Sequence, residues 1–264
     1  MIISFFEEFP TQNNLQKLSL ITWPSKLYLA AKSLPEFNAL KKSIKNKNIL
    51  EIIYWPILEK SEGYWISPFT KKQALQKIFN ELENKNIPVM LDLELPTRPN
   101  STLYLTQLAN FLHNKNIIQK FIQNHPSKIY LAEYYPQEGW RYMLLNALGL
   151  HYSQPKNSVI KMLYHSLHPF TNEFLTKQLQ LGKINYPHFI PAYGTIAPGI
   201  TNKESILSPK QLLKDLKIAK KNKIEEVIIF RLGGLTMEYA HLISSMKNSS
   251  TRKGSISHRK YLIK

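Results

Sequence analysis

Cysteine is absent from the 264 residues, which excludes disulfides, thiolate metal sites and cysteine nucleophiles together. Acidic side chains are scarce: 18 Asp and Glu stand against 35 Lys and Arg, a formal net charge of +17. Long apolar runs are missing as well. Lys, Asn, Glu or Pro interrupts each of them before eighteen residues, so no membrane-spanning segment is expected. The opening Met1-Ile2-Ile3-Ser4-Phe5-Phe6-Glu7-Glu8 lacks the basic start of a secretory signal, which points to the cytoplasm, or to secretion if the chain is a mature form. Arginine is rare too, supplying only five of the 35 basic residues. Nucleic-acid surfaces favour Arg clusters and aromatic-basic stripes, and neither occurs here, so nucleic acid is not expected as a partner. The lysines of 41–48 and 214–223 read instead as solvent faces of amphipathic helices. The last eighteen residues, Lys247 to Lys264, hold six Lys or Arg and no acid, and read as a basic tail on a single domain over 1–246.

What is present is a rhythm. Short Ile/Val/Tyr-rich runs recur at Ile2 to Phe6, Lys26 to Ala31, Ile49 to Trp55, Ile87 to Leu93, Lys128 to Ala132, Ser158 to Tyr164, His188 to Tyr193 and Glu225 to Phe230. Their starts lie about 32 residues apart, the size of one strand-helix unit, and continuous apolar runs suit strands covered on both faces. Ser33-Leu34-Pro35-Glu36, Thr70-Lys71-Lys72-Gln73 and Ser208-Pro209-Lys210-Gln211 have capping-box spacing and predict helix starts, while Gly149 and Gly182 predict helix ends. Eight strands, seven intervening helices and a last helix over Thr236 to Met246 predict a single (β/α)8 barrel, with a doubly wound open parallel sheet as the alternative.

In such a barrel the working face lies at the C-terminal strand ends. The residues there are Glu8, Lys32, Tyr54 and Trp55, Asp92 and Glu94, Glu133, His165, Tyr193 and Arg231. Each strand therefore brings a chemically capable or aromatic group to one rim, which predicts a functional pocket. Within Leu91-Asp92-Leu93-Glu94 the period of two puts both carboxyls on one side of the strand, toward the barrel mouth. Crowded carboxyls raise one another's proton affinity, so that one can act as an acid while the other stays ionised. Glu133 and Glu8 are the third and fourth rim carboxyls; parity favours Glu8 over Glu7, because it turns small Ser4 inward and Ile3 and Phe5 toward the helices.

The Leu91-Asp92-Leu93-Glu94 segment resembles the Asp-x-Glu that closes strand four in barrel glycoside hydrolases, including chitinase-like enzymes and barrel muramidases. That resemblance implies that Glu94 protonates a glycosidic oxygen and that Asp92 orients it or a substrate amide. The match covers strand four and the architecture; the further Asp and Gly of the chitinase pattern are missing from Asn86-Ile87-Pro88-Val89-Met90. Aromatic residues fit the same class, because sugar C–H faces pack on rings. Tyr54, Trp55, Tyr64 and Trp65 follow strand three, Tyr134, Tyr135 and Trp140 follow strand five, and Tyr193 ends strand seven.

The leading expectation is thus a glycoside hydrolase-like enzyme without cofactor or metal. Its catalytic candidates are Glu94, Asp92, Glu133 and Glu8, and its substrate-binding candidates Lys32, Tyr54, Trp55, Trp65, Tyr134, His165, Tyr193 and Arg231. The substrate is a carbohydrate, with acidic glycans among the candidates because of the lysine excess. A first alternative is a phosphosugar isomerase or aldolase type of barrel enzyme, with Arg231, Gly233 and Gly234 holding a phosphate and Lys161 or Lys32 forming a Schiff base. A metal-dependent isomerase or hydrolase drawing on Asp92, Glu94, Glu133 and His165 is a second, and a non-catalytic glycan-binding barrel a third.

Overall fold

The computed structural model describes residues 1–96, 101–152 and 154–248, with the side chains of 247 and 248 excepted. The basic tail expected over 247–264 otherwise lies outside the described residues.

Strands β1 (Ile2–Glu7), β2 (Ser25–Ala31), β3 (Ile49–Pro56), β4 (Val89–Asp92), β5 (Ile129–Tyr134), β6 (Ser158–Met162), β7 (His188–Gly194) and β8 (Glu226–Phe230) pair in chain order, all parallel. Five register pairs from Ile2↔Glu226 to Phe6↔Phe230 join β1 to β8 and close the barrel, which overturns the open-sheet alternative. The helices are α1 (Gln12–Gln16), α2 (Leu34–Ser43), α3 (Lys72–Leu82), α4 (Thr102–Thr106), α5 (Phe111–Asn124), α6 (Gly139–Ala147), α7 (Asn172–Asn185), α8 (Pro209–Lys221) and α9 (Met237–Asn248). No helix among the described residues is long and apolar enough to cross a membrane.

Because strand side chains alternate, every strand serves two cores. One face packs on the helices, with Ile3, Phe5, Leu27, Leu29, Tyr54, Leu91, Leu131, Val159, Tyr193 and Ile229. The other fills the barrel with Phe6, Tyr28, Ile53, Trp55, Met90, Tyr130, Ile160, Ile190 and Ile228. The bottom is closed by a polar plug: the Lys26 ammonium lies 2.6 Å from Glu226, which also accepts from Ser4 (2.7 Å) and Tyr28 (3.2 Å). Toward the top, inward Ala30, Ala132 and Ala192 replace bulky residues, and their small volume leaves the barrel open there.

Two of the three expected caps are present. Ser33 accepts from the Glu36 amide and Ser208 from the Gln211 amide, with Pro209 in the first turn of α8. Thr70 is a correction: its hydroxyl accepts from Ser67 N and donates to Trp65 O, holding the β3–α3 loop, while α3 begins after Lys71 without a side-chain cap. Gly149 follows α6 with φ +68, the left-handed conformation a helix end requires. Gly182 does not end its helix. It lies inside α7, where an added Cβ would stand 2.3 Å from the Phe189 ring, so its small size serves helix-to-strand contact.

Candidate functional site at the barrel mouth

A cavity of about 390 Å³ opens at the C-terminal face, a size suited to a small ligand. Its floor comes from inward positions of the strands: Phe6, Trp55, Asp92, Ala132, Tyr134, Met162 and Phe230. Loops add Glu8, Trp65, Glu94, Tyr135, Tyr164, His168 and, from the β7–α8 loop, Thr195, Lys203 and Glu204.

Asp92 and Glu94 both line the cavity, with Leu91 and Leu93 against the helices, as the period of two requires. Their carboxyls interact with each other, and the Tyr134 hydroxyl favours the ionised form of Glu94. Burial pushes the Asp92 carboxyl well above its usual range, with Glu94 and Glu8 adding repulsion. Burial likewise raises Glu94, to about 7, against the lowering influence of Tyr134 and Asp92. Asp92 is thereby the proton holder of the pair and Glu94 the acceptor. The register sets Asp92 beside Ala132, whose methyl leaves space for a carboxyl.

Glu8 approaches from β1. Ser4 and Phe6 face inward and Ile3 and Phe5 outward, so the parity that favours Glu8 over Glu7 holds. The Tyr64 hydroxyl donates to Glu8 Oε1 at 2.9 Å. Tyr64 reaches it from a turn in which Gly63 (φ +129) and Tyr64 itself (φ 62) are left-handed, an uncommon state for an aromatic residue. Burial pushes Glu8 up to about 8. Glu8 Oε2 and Asp92 Oδ1 are buried with no hydrogen-bond partner among the described residues.

Several expected site residues lie elsewhere, most for one reason. A strand's terminal residue faces the cavity or the helices according to parity, and at several strands the polar residue occupies the outer position. Glu133 is fully buried outside the barrel, 2.7 Å from the Lys161 ammonium and 2.8 Å from His151 Nδ1, while its successor Tyr134 faces the cavity. Burial draws the Glu133 carboxyl up, but Lys161 and His151 outweigh it and hold it below the usual range. Lys161, itself outward on β6, is thus an ion-pair partner and not a Schiff-base residue of the cavity. Tyr54 stacks on Phe37 at 4.8 Å and Trp55 takes the inward place. Tyr193 is buried against the helices beside inward Ala192.

Arg231 likewise follows inward Phe230 and turns away. Its guanidinium pairs with Glu7 at 3.1 Å, donates to Pro198 O at 2.9 Å and covers the Phe9 ring. The Gly233 amide donates to Glu7 Oε2 at 2.6 Å, so the proposed phosphate cradle is filled by the protein's own carboxylate. Lys32 is exposed and pairs with Glu59 at 2.6 Å, and His165 lies 3.3 Å from Asp215 of α8; neither lines the cavity. Among the described residues no group of three or more His, Asp or Glu side chains is arranged to hold a metal ion.

The chain matches solved (β/α)8 barrels over nearly its whole length. One is 3-keto-D-glucoside 4-epimerase YcjR from E. coli, with 14% identity over 94% of this chain and 99% of that one and a TM-score of 0.51. Another is the PgaB (BpsB) glycoside hydrolase domain from Bordetella bronchiseptica, with 9% identity, 95% and 96% coverage and a TM-score of 0.52. A third is active domain 2 of a thermostable chitinase from Pyrococcus furiosus, with 10% identity, 94% and 95% coverage and a TM-score of 0.50. At such identities the shared property is the barrel fold. No protein-family model matches the sequence. A search of curated proteins likewise finds no match.

Of the residues that sequence reasoning missed, Phe6, Met162 and Phe230 follow from the parity already applied to Asp92 and Glu94, and Tyr164 and His168 from the loop that continues β6. Glu204 has no such signal. It sits in an irregular loop where it accepts from the Gly199 and Lys203 amides and from Thr201.

Proposed function

We propose that the protein is a carbohydrate-acting barrel enzyme that hydrolyses a glycosidic bond, with Glu94 as acid/base. The observation that carries this is the Asp92–Glu94 carboxyl pair, set with Glu8 in an aromatic-walled cavity at the C-terminal barrel face. In its protonated form Glu94 donates to the glycosidic oxygen as the bond to the anomeric carbon breaks. In its ionised form it takes a proton from the water that replaces the leaving sugar. Asp92 and Tyr134 favour the ionised form and keep the proton affinity of Glu94 near neutrality, where both roles are open to one group. Glu8 supplies a second carboxyl from β1, and Trp55 and Trp65 offer rings for the sugar. The fold likeness to a glycoside hydrolase domain and a chitinase domain supports the reading.

A second reading, epimerisation at a sugar carbon, draws on two raised carboxyls, Glu8 and Glu94, that reach one cavity from β1 and β4, and on the fold likeness to a sugar epimerase. One experiment separates the two. Wild type and Glu94→Gln are screened side by side against glycans and free keto sugars in deuterated water. Hydrolysis predicts new reducing ends, lost in Glu94→Gln by on the order of 10²-fold or more. Epimerisation predicts deuterium at a sugar carbon without chain cleavage. New reducing ends formed equally well by Glu94→Gln would overturn the role given to Glu94.

A further inference from the structure

We infer that the sugar bound in this cavity carries a protonated amine, seated among the carboxyls of Glu8, Asp92 and Glu94. This rests on the carbohydrate reading above and specifies its substrate class. The first observation is a local reversal of charge. Lys and Arg outnumber Asp and Glu by 35 to 18 in the chain, yet four carboxyls, Glu8, Asp92, Glu94 and Glu204, line the cavity. Lys203 is the one lysine or arginine among the described residues that line it. Arg231, whose charge acts on Glu8, is committed to Glu7 and Pro198 O.

The second observation is independent of the count. Glu8 is 2% exposed and Asp92 5%, and each has one buried side-chain oxygen with no hydrogen-bond partner among the described residues. Such atoms need donors, and no described residue supplies them, although the Trp55 indole N–H in the same cavity is itself buried without a partner among those residues. Tyr64 donates to Glu8 Oε1, and the amides of Gly199 and Lys203 to Glu204. An incoming ammonium brings three N–H donors and a charge to the same spot. A sugar hydroxyl brings one donor and an N-acetyl group one without charge, while an acidic sugar adds a like charge. The rings of Trp55, Trp65, Tyr134 and Tyr164 complete a setting that favours cations.

The charged groups facing the bound amine are Glu8, Asp92, Glu94, Glu204, Lys203 and, when protonated, His168. A cation placed among the three buried carboxyls favours their ionised forms, so binding releases protons.

The test is titration calorimetry of the whole protein at pH 6.5, in two buffers of different ionisation enthalpy, with glucosamine, glucose, N-acetylglucosamine and glucuronate as probes. Glucosamine is expected to bind at least about tenfold more tightly than glucose or N-acetylglucosamine, the scale of one charge-assisted hydrogen bond, with net proton release. Glu8→Gln is expected to reduce that preference at least about threefold; a melting curve verifies that the variant is folded. Equal affinity for glucosamine and glucose, absence of glucosamine binding, or proton uptake on binding overturns the inference from wild type alone. An undiminished preference in folded Glu8→Gln overturns the placement of the amine. Cleavage of glucosamine oligomers, assayed separately, keeps the two proposals apart: amine preference without cleavage of any glycan counts against hydrolysis only, and cleavage of neutral glycans without amine preference counts against the amine only.

Discussion

Tyr134 and Asp92 favour the ionised form of Glu94, and burial still leaves its carboxyl at about 7. If its proton is delivered in the rate-limiting step, kcat/KM falls as pH rises through about 7, the limb belonging to the coupled Asp92–Glu94 pair. Tyr134→Phe removes a hydroxyl that stabilises the ionised form, so the limb moves to higher pH; an unmoved or lowered limb in the rate profile contradicts this role. Glu8 yields a stability prediction of definite sign. Its carboxyl titrates near 4.5 when unfolded and at about 8 when folded, so the native state holds a proton that the unfolded chain has lost between those values. Stability therefore declines as pH rises from about 4.5 and levels off above about 8. Glu8→Gln removes that loss and should stabilise the protein at pH 8 by on the order of 4 kcal/mol, with no gain at pH 4, in denaturant titrations at both pH values.

At the scale of elements, the contact between barrel and helices is held by an ionic cluster as well as by apolar packing. Glu133 of β5 and Lys161 of β6 are fully buried, with His151 from the α6–β6 loop as a second partner to the carboxylate. Lys161→Met strands the Glu133 charge in a dry layer and should cost about 3 to 5 kcal/mol in chemical denaturation. Adding Glu133→Gln removes the unpaired charge and should recover at least about 1 kcal/mol. A single variant as stable as wild type would show that the pair is not a structural tie. On α7, an alanine at Gly182 meets the Phe189 ring at 2.3 Å. Although Ala is the better helix former by about 1 kcal/mol, overpacking of the α7–β7 contact should make Gly182→Ala a net loss of about 1 to 2 kcal/mol, read as a lowered denaturation midpoint without a changed slope.

For the molecule as a whole, closure by β1 and β8 leaves no sheet edge for residues beyond α9 to cover. We therefore propose that the barrel is complete by the end of α9. A chain ending at Asn248 should melt within about 2 °C of the full chain; a drop of about 5 °C or more would assign the last sixteen residues a part in the fold. That truncation removes five Lys or Arg and no acid, so weaker retention on a cation exchanger is expected together with unchanged sugar binding. The excess positive charge and the acidic cavity are separate properties. The first lies mainly on helix faces and loops, and the second is made by the inward positions and loops of the barrel mouth.

The number, order and direction of the strands were legible in the sequence, because strands covered on both faces must be apolar throughout and a repeating strand-helix unit leaves parallel pairing as the economical closure. So were Asp92 and Glu94, since alternation within one strand fixes their shared side, and Glu8 by the same argument. Lys32, Tyr54, Glu133, His165, Tyr193 and Arg231 were not assignable from their positions at strand ends. Whether such a side chain meets the cavity, the helices or solvent depends on where each strand stops and which partner lies across the layer. Glu133 finds Lys161 and His151, Arg231 finds Glu7, and Tyr54 finds Phe37, all distant in sequence. Tertiary structure alone also brought Glu204 to the mouth, and it left two buried carboxylate oxygens without donors, because hydrogen-bond satisfaction is a property of the assembled site that no local pattern encodes.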